Sequence, residues 1–233
     1  MLTVALIGNP NVGKTEIFNR LTGMKQHVGN WPGVTVEKKT GKCTYNGEEL
    51  EIVELPGTYS LTANAIDELV ARDYIVEEKP DVVVDIVNGT SLERNLYLTL
   101  LLLELEANVV VALNQWDMVK TRGTEIEIEK LSEFLGVPVI PTVATTGEGL
   151  EELKKVVLRA AKNKETRRKV VMGYGEDIEA LIKKERNVIC KDGRLSNKYP
   201  PRWLAIKTLE KDDKVLKLIE DSPRRGDIME AAK

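Results

Sequence analysis

Residues 8–15 read Gly-Asn-Pro-Asn-Val-Gly-Lys-Thr and directly follow the apolar run Leu2–Ile7. This is G-x-x-x-x-G-K-[ST] in the strand-then-helix setting that the pattern needs. Its chemistry is phosphate binding. A loop built from Gly8, Asn9, Pro10, Asn11, Val12 and Gly13 turns backbone N–H groups inward at a helix N-terminus, which makes a receptacle for anions. Lys14 would reach the β- and γ-phosphates, and the Thr15 hydroxyl would bind Mg2+. The amide oxygen of Asn11 could take a monovalent cation beside the phosphates.

A phosphate loop alone fits kinases, ATPases and GTPases alike, so the base-reading residues decide between them. Asn114-Gln115-Trp116-Asp117 follows the apolar run Val109–Leu113, at the strand end where α/β sheets bind ligands. Asn-x-x-Asp suits guanine. A carboxylate at Asp117 would accept from both N1–H and the 2-amino group, a pair that adenine lacks, while Asn114 would donate to N7 and brace the loop. A site left with an unpaired carboxylate would reject ATP strongly. Gln115 stands where most GTPases have a lysine lying along the base, which predicts weaker affinity and faster exchange. Thr142-Val143-Ala144-Thr145 follows the last apolar strand, where a GTPase places a backbone N–H on guanine O6. Val143 replaces the usual serine there, and the backbone role falls to Ala144.

Sensors of the γ-phosphate lie between these motifs. Glu54-Leu55-Pro56-Gly57 matches D-x-x-G with glutamate for aspartate. The Gly57 N–H would contact the γ-phosphate, and Glu54 would hold the Mg2+ shell. Its extra methylene moves the carboxylate by about 1.5 Å, which opens direct coordination. In the segment Gly29–Val36, Thr35 is placed to bind Mg2+ only when GTP is present. Thr58 occupies the position after Gly57 where Ras-like enzymes carry a catalytic glutamine. Hydrolysis should therefore be slow unless an ion assists, and the expected catalytic set is Asn11, Thr35 and Gly57.

Alternating strand and helix signals position these motifs. Apolar runs at 2–7, 41–45, 50–54, 82–87, 109–113 and 139–141 predict strands, and helical spacing marks 14–21, 64–77, 92–105, 125–135 and 150–161. Tyr45-Asn46-Gly47-Glu48 is a hairpin turn. The expected fold is a Ras-like P-loop α/β domain with a mostly parallel six-stranded sheet, one antiparallel edge pair, and a small all-helical domain after it. Residues 162–233 carry 19 Lys and Arg against 13 Asp and Glu, whereas residues 1–161 carry 15 against 24. That shift divides the chain into 1–162 and 163–233. Helical spacing at 176–189, 202–209 and 214–219 predicts three or four helices in the second part.

Composition narrows the remaining classes. The 233 residues have a net charge of −3, one histidine and two cysteines, Cys43 and Cys190. These suggest neither a disulfide framework nor a zinc or iron cluster, and His27 reads as a surface residue. The most apolar stretch, 96–103, falls short of the roughly 20 residues that span a bilayer, so a soluble, cytosolic fragment is expected. The mixed charges of the tail carry neither a G-x-x-G clamp nor an aromatic RNA-binding motif, so no nucleic acid is expected. A free-standing ribosome- or RNA-associated GTPase is the alternative.

The segments 8–15, Val28–Glu37 and Leu55–Leu61, with Ala71-Arg72-Asp73-Tyr74 and Leu92-Glu93-Arg94-Asn95-Leu96, resemble the N-terminal G domain of the FeoB family of ferrous iron transporters. The tail is similar in position and composition to that family's helical spacer, or GDI-like, domain. The resemblance implies GTP and GDP as ligands, Mg2+ as cofactor and stimulation by K+. In the family, K+ is held by an asparagine matching Asn11 and by carbonyls matching Gly29 and Trp31. Asn-x-x-Asp without lysine is usual there, whereas Glu54 departs from the family's aspartate. The resemblance also implies a following transmembrane iron-permease domain, placement at the cytoplasmic face of the membrane, and leaves a homo-oligomer open.

Overall fold

The computed structural model describes residues 1–62, 65–163 and 172–232. Seven strands form one sheet in the order β2-β3-β4-β1-β5-β6-β7. They are β1 (Leu2–Gly8), β2 (Gln26–Asn30), β3 (Glu37–Tyr45), β4 (Glu48–Glu54), β5 (Val82–Asn88), β6 (Val109–Asn114) and β7 (Val139–Pro141). β1 lies parallel to β4 and β5, and β5, β6 and β7 continue in parallel. The hairpin forms as expected, with φ of 49° at Asn46 and 78° at Gly47, the mirror-image turn that matches strand twist.

The sheet has seven strands where six were expected. The additional one is β2, which pairs antiparallel with Glu37–Gly41 of β3. All five of its residues are exposed, so backbone pairing alone holds it, and no hydrophobic alternation announces it. β3 starts at Glu37 rather than Gly41 because that partner extends it.

Alternation of side chains along the buried strands builds two cores. Ala5, Ile7, Val83, Val87 and Val111 pack on one face with α2 (Ile66–Asp73), α3 (Leu92–Glu104) and α5 (Ile128–Leu135). Val4, Leu6, Val84, Ile86 and Val110 pack on the other with α1 (Lys14–Thr22) and α6 (Leu150–Lys162). All residues of β6 are buried, as a parallel strand covered on both faces requires. α4 (Trp116–Thr121) follows β6 directly.

The tail contains α7 (Glu176–Ile189), α8 (Gly193–Ser196), α9 (Pro201–Leu209), α10 (Asp213–Glu220) and α11 (Arg225–Ala231). The three expected helices are present; the short α8 and α11 are additional. Residues 164–171, near the start of the expected second domain 163–233, lie outside the described residues, as does residue 64 at the start of the helix expected at 64–77. The apolar face of the tail, with Ile182, Trp203, Leu204, Val215 and Ile228, is continuous with the α2–α3 core. Arg72 of α2 is fully buried there. Its Nη1 meets Asp212 Oδ2 at 2.7 Å, and its guanidinium lies 5.8 Å from the Trp203 ring centre. Lys214 pairs with Asp73 beside it. Among the described residues no helix is long and apolar enough to cross a membrane.

Two carboxyls are held against their preference for water. Burial pushes Asp85 of β5 up to about 7, partly offset by the Thr99 hydroxyl at 2.6 Å. Burial also pushes Glu185 of α7 up to about 7. Neither Glu185 oxygen makes a full hydrogen bond; the nearby Thr208 hydroxyl, which donates to the Leu204 carbonyl at 2.8 Å, offsets the burial only partly. A carboxyl whose folded pKa is raised favours the folded state most when protonated, so its contribution falls as pH rises from about 4.5 to about 7. Thermal melts of Glu185→Gln should therefore show a higher midpoint than wild type at pH 8 and no gain at pH 5. Equal differences at both pH values would contradict an elevated Glu185.

Candidate functional site

The strand-to-helix turn at 8–15 has the conformation that its sequence demands. Asn11 takes φ of 64°, and Gly13 caps α1 with φ of 92°. A side chain at Gly13 would collide with the Asn114 amide, and one at Gly8 would stand 2.5 Å from the Ile86 carbonyl oxygen. The N-terminus of α1 thus opens at the strand ends of the sheet, where its free N–H groups and dipole favour an anion. Asn9 is buried in this loop with both amide atoms unpartnered.

Glu54, the last residue of β4, closes one side. Its Oε1 accepts the Thr15 hydroxyl at 2.6 Å and the Lys14 ammonium at 3.3 Å. Its Oε2 is buried without a partner. An orphaned carboxylate oxygen beside a threonine hydroxyl fits a small hard cation. Mg2+ typically takes one or two carboxylates and completes its shell from phosphates and water. Gly57 packs on the P-loop, since a Cβ there would stand 3.4 Å from Pro10 Cα. The Thr58 N–H donates to the Gly8 carbonyl at 3.2 Å. Thr58 itself is buried, and its hydroxyl donates to the Ser60 carbonyl at 2.7 Å. It is thereby turned away from the role of the missing glutamine.

The base-reading half is tied to this loop by Asn114. Its Nδ2 donates to the Val12 carbonyl at 2.7 Å. Its Oδ1 accepts from the Ala144 N–H at 2.9 Å and the Thr142 hydroxyl at 3.3 Å. Asn114 therefore acts as a brace here. The Ala144 N–H, expected on guanine O6, is committed to Asn114, so reaching a base oxygen requires a shared bond or a small turn of the loop. Val143 is buried and its N–H donates to the Glu148 carbonyl. Gln115 caps α4 with φ of 60°. Asp117 and Thr145 are exposed.

The expected K+ and γ-phosphate groups on the 29–35 segment are not gathered with the rest. β2, which contains Gly29, is separated from β1 by two strands, about 14 Å at ordinary strand spacing. Trp31 is buried; its carbonyl accepts the Val34 N–H at 3.3 Å. Its ring meets Tyr74 edge-on, with centroids 5.2 Å apart and Lys38 Nζ 4.6 Å from the indole. Thr35 is exposed. The structure thus assembles Asn9, Lys14, Thr15, Glu54, Gly57, Asn114, Thr142 and Ala144, and leaves Gly29, Trp31 and Thr35 apart from them. Two contributors had no sequence signal. They are the Thr142 hydroxyl on Asn114 and Arg20 of α1, whose guanidinium reaches the Thr145 carbonyl.

Comparison with known proteins agrees with this geometry. Residues 2–157 match the family model for ferrous iron transport protein B, and residues 174–233 match that for the FeoB cytosolic helical domain. The chain is 53% identical over 219 residues to the Fe(2+) transporter FeoB of Methanocaldococcus jannaschii, covering 94% of this chain and 32% of that protein. It spans about a third of the length of that relative, and less of the next ones. Two crystal structures of the cytosolic domain of the T. maritima FeoB iron transporter superpose well. The GDP form has a TM-score of 0.88 at 44% identity, covering 94% of this chain and 85% of that one. The GMPPNP form has 0.87 at 44%, covering 94% and 84%.

The two polar residues of the Asn-x-x-Asp motif, Asn114 and Asp117, should behave differently on truncation. Asn114→Ala removes a buried donor and acceptor together and leaves the Val12 carbonyl unmet. Without nucleotide it should lose about 2–3 kcal/mol of stability. Asp117→Ala, at an exposed position, should lose less than about 0.5 kcal/mol. Urea unfolding of the nucleotide-free proteins checks both; equal losses would contradict the bracing role.

Proposed function

We propose, because the chain belongs to the FeoB family of ferrous iron transport proteins, that it is a GTP-binding and GTP-hydrolysing switch regulating Fe2+ uptake through a membrane permease domain. Residues 1–162 form the G domain of this reading and 163–233 its helical spacer, which agrees with the extents of the two family matches. The whole assembly would sit at the cytoplasmic face of the membrane. The observation that carries the reading is the Asn114 side chain, which joins the phosphate loop to the loop after β7. That join supports reading the Asn-x-x-Asp motif and the P-loop as parts of one site.

In the proposed mechanism Lys14 exchanges Glu54 for the β- and γ-phosphates. The N–H groups at the start of α1 hold the same phosphates, and Gly57 N–H contacts the γ-phosphate. Asp117 accepts from the guanine edge. Thr15, Glu54 and Thr35 would hold Mg2+, and Asn11, with the carbonyls of Gly29 and Trp31, would hold K+; when bound, these cations would supply positive charge beside the phosphate oxygens. For Gly29, Trp31 and Thr35 to take part, the 29–35 segment must leave Tyr74 and Lys38 and cross to the P-loop, an order-changing movement of the kind GTPase switches use. Because Thr58 offers no amide to orient water, turnover without K+ should be slow.

Single-turnover GTP hydrolysis in K+ and in Na+ tests this. Wild type should run about tenfold to a hundredfold faster in K+, and Asn11→Ala should run at the slow rate in both buffers. Equal K+ rates for the two proteins remove Asn11 from the mechanism, and no turnover in either buffer overturns the enzymatic reading.

A further inference from the structure

One side chain of the P-loop helix extends to the outer end of the base loop. Arg20, in the last turn of α1, is braced by Glu16 one turn earlier, Nε to Oε1 at 3.1 Å. Its Nη2 donates to the Thr145 carbonyl. Gly147 lies against the same guanidinium. A Cβ there would stand 3.2 Å from Arg20 Nη1, and its φ is +87°. The backbone at 147 thus leaves room for the arginine in a conformation that favours glycine.

The loop's other holds lie elsewhere. Asn114 grips it at Thr142 and Ala144. The Gly147 N–H donates to the Val143 carbonyl at 2.8 Å, within the loop itself. Lys120 pairs with Glu148 at 3.5 Å between two exposed side chains, a kind of contact that contributes little. Arg20 joins Thr145 to the helix that begins at Lys14. A charge-assisted bond from a guanidinium is directional, and at this exposed position its strength is that of a surface contact.

We propose that Arg20 is a positioning residue for base recognition: it holds the 142–147 loop against the guanine carbonyl and so slows nucleotide release. The proposal rests on the reading of this site as a guanine-nucleotide site. It offsets in part the loss of the lysine that Gln115 replaces, since the loop end is held from α1 instead of by a stem lying along the base. Arg20 does not touch the phosphates or the base; it acts through the Thr145 backbone.

The test is the dissociation rate of N-methylanthraniloyl-GDP by stopped flow, with equilibrium affinities for GDP and for 2-aminopurine riboside diphosphate, which lacks the O6 carbonyl. Wild type, Arg20→Ala, Arg20→Lys and Glu16→Ala are compared. Arg20→Ala should release nucleotide about three- to tenfold faster, the size expected of one charge-assisted bond at a partly exposed site. It should weaken GDP by the same factor and leave the 2-aminopurine nucleotide within about twofold. Arg20→Lys should recover part of the loss, and Glu16→Ala should show a smaller one. An unchanged release rate overturns the proposal, as does equal weakening of both nucleotides, which would mark a general structural role. A wild-type protein that binds neither nucleotide contradicts the guanine reading and the proposal with it.

Discussion

The carboxamide of Asn114 joins three segments that lie far apart in the chain: the end of β6, the carbonyl of Val12 in the phosphate loop, and the Thr142–Ala144 turn after β7. Its placement follows from the sheet. β1, β5 and β6 are parallel and buried on both faces, so their C-terminal ends align along one edge, where open α/β sheets bind ligands. An apolar residue at 114 would leave a buried carbonyl unmet, and any side chain at Gly13 would occupy the space of the amide. Gly13 and Asn114, which read as members of separate motifs, are thus one steric and hydrogen-bonding requirement.

The phosphate half is organised by charge. Glu54 occupies both Lys14 and Thr15, the two side chains that nucleotide and metal need, and keeps one oxygen buried and unmet. The Lys14–Glu54 pair is thus internally neutralised, while one carboxylate oxygen is left without a partner. The 29–35 segment completes the opposite picture. It lies at the sheet edge with Trp31 held by Tyr74 and Lys38, apart from the loops that Asn114 joins. In the proposed reading such a division would suit a switch, with ligand identity and γ-phosphate sensing assigned to separate segments.

Much of this was legible in the residues. The apolar runs gave β1, β5 and β6, the Asn46-Gly47 dipeptide gave the hairpin, and the G-x-x-x-x-G-K-T and Asn-x-x-Asp patterns mark two loops that the fold brings to one edge of the sheet. Features set by the backbone or by long-range pairing were not legible. β2 is polar and exposed throughout, and only its bonds to β3 reveal it. Arg72 is a charged residue with no pattern around it that marks burial, yet it is buried because Asp212 and Trp203 meet it from the tail. Nothing in the spacing of Arg20 announces a partner at Thr145. The Ala144 N–H, assigned to the base from its position in the motif, proves to be engaged by Asn114, which only coordinates can disclose.

Ligand identity is the most direct test of this site, and isothermal titration with GDP and ADP in the presence of Mg2+ measures it. A site that reads guanine through Asp117 and the Asn114-braced loop should bind GDP and discriminate against ADP by at least about a thousandfold, as sites built on hydrogen bonds to a missing group do. Comparable affinities for the two nucleotides would contradict it.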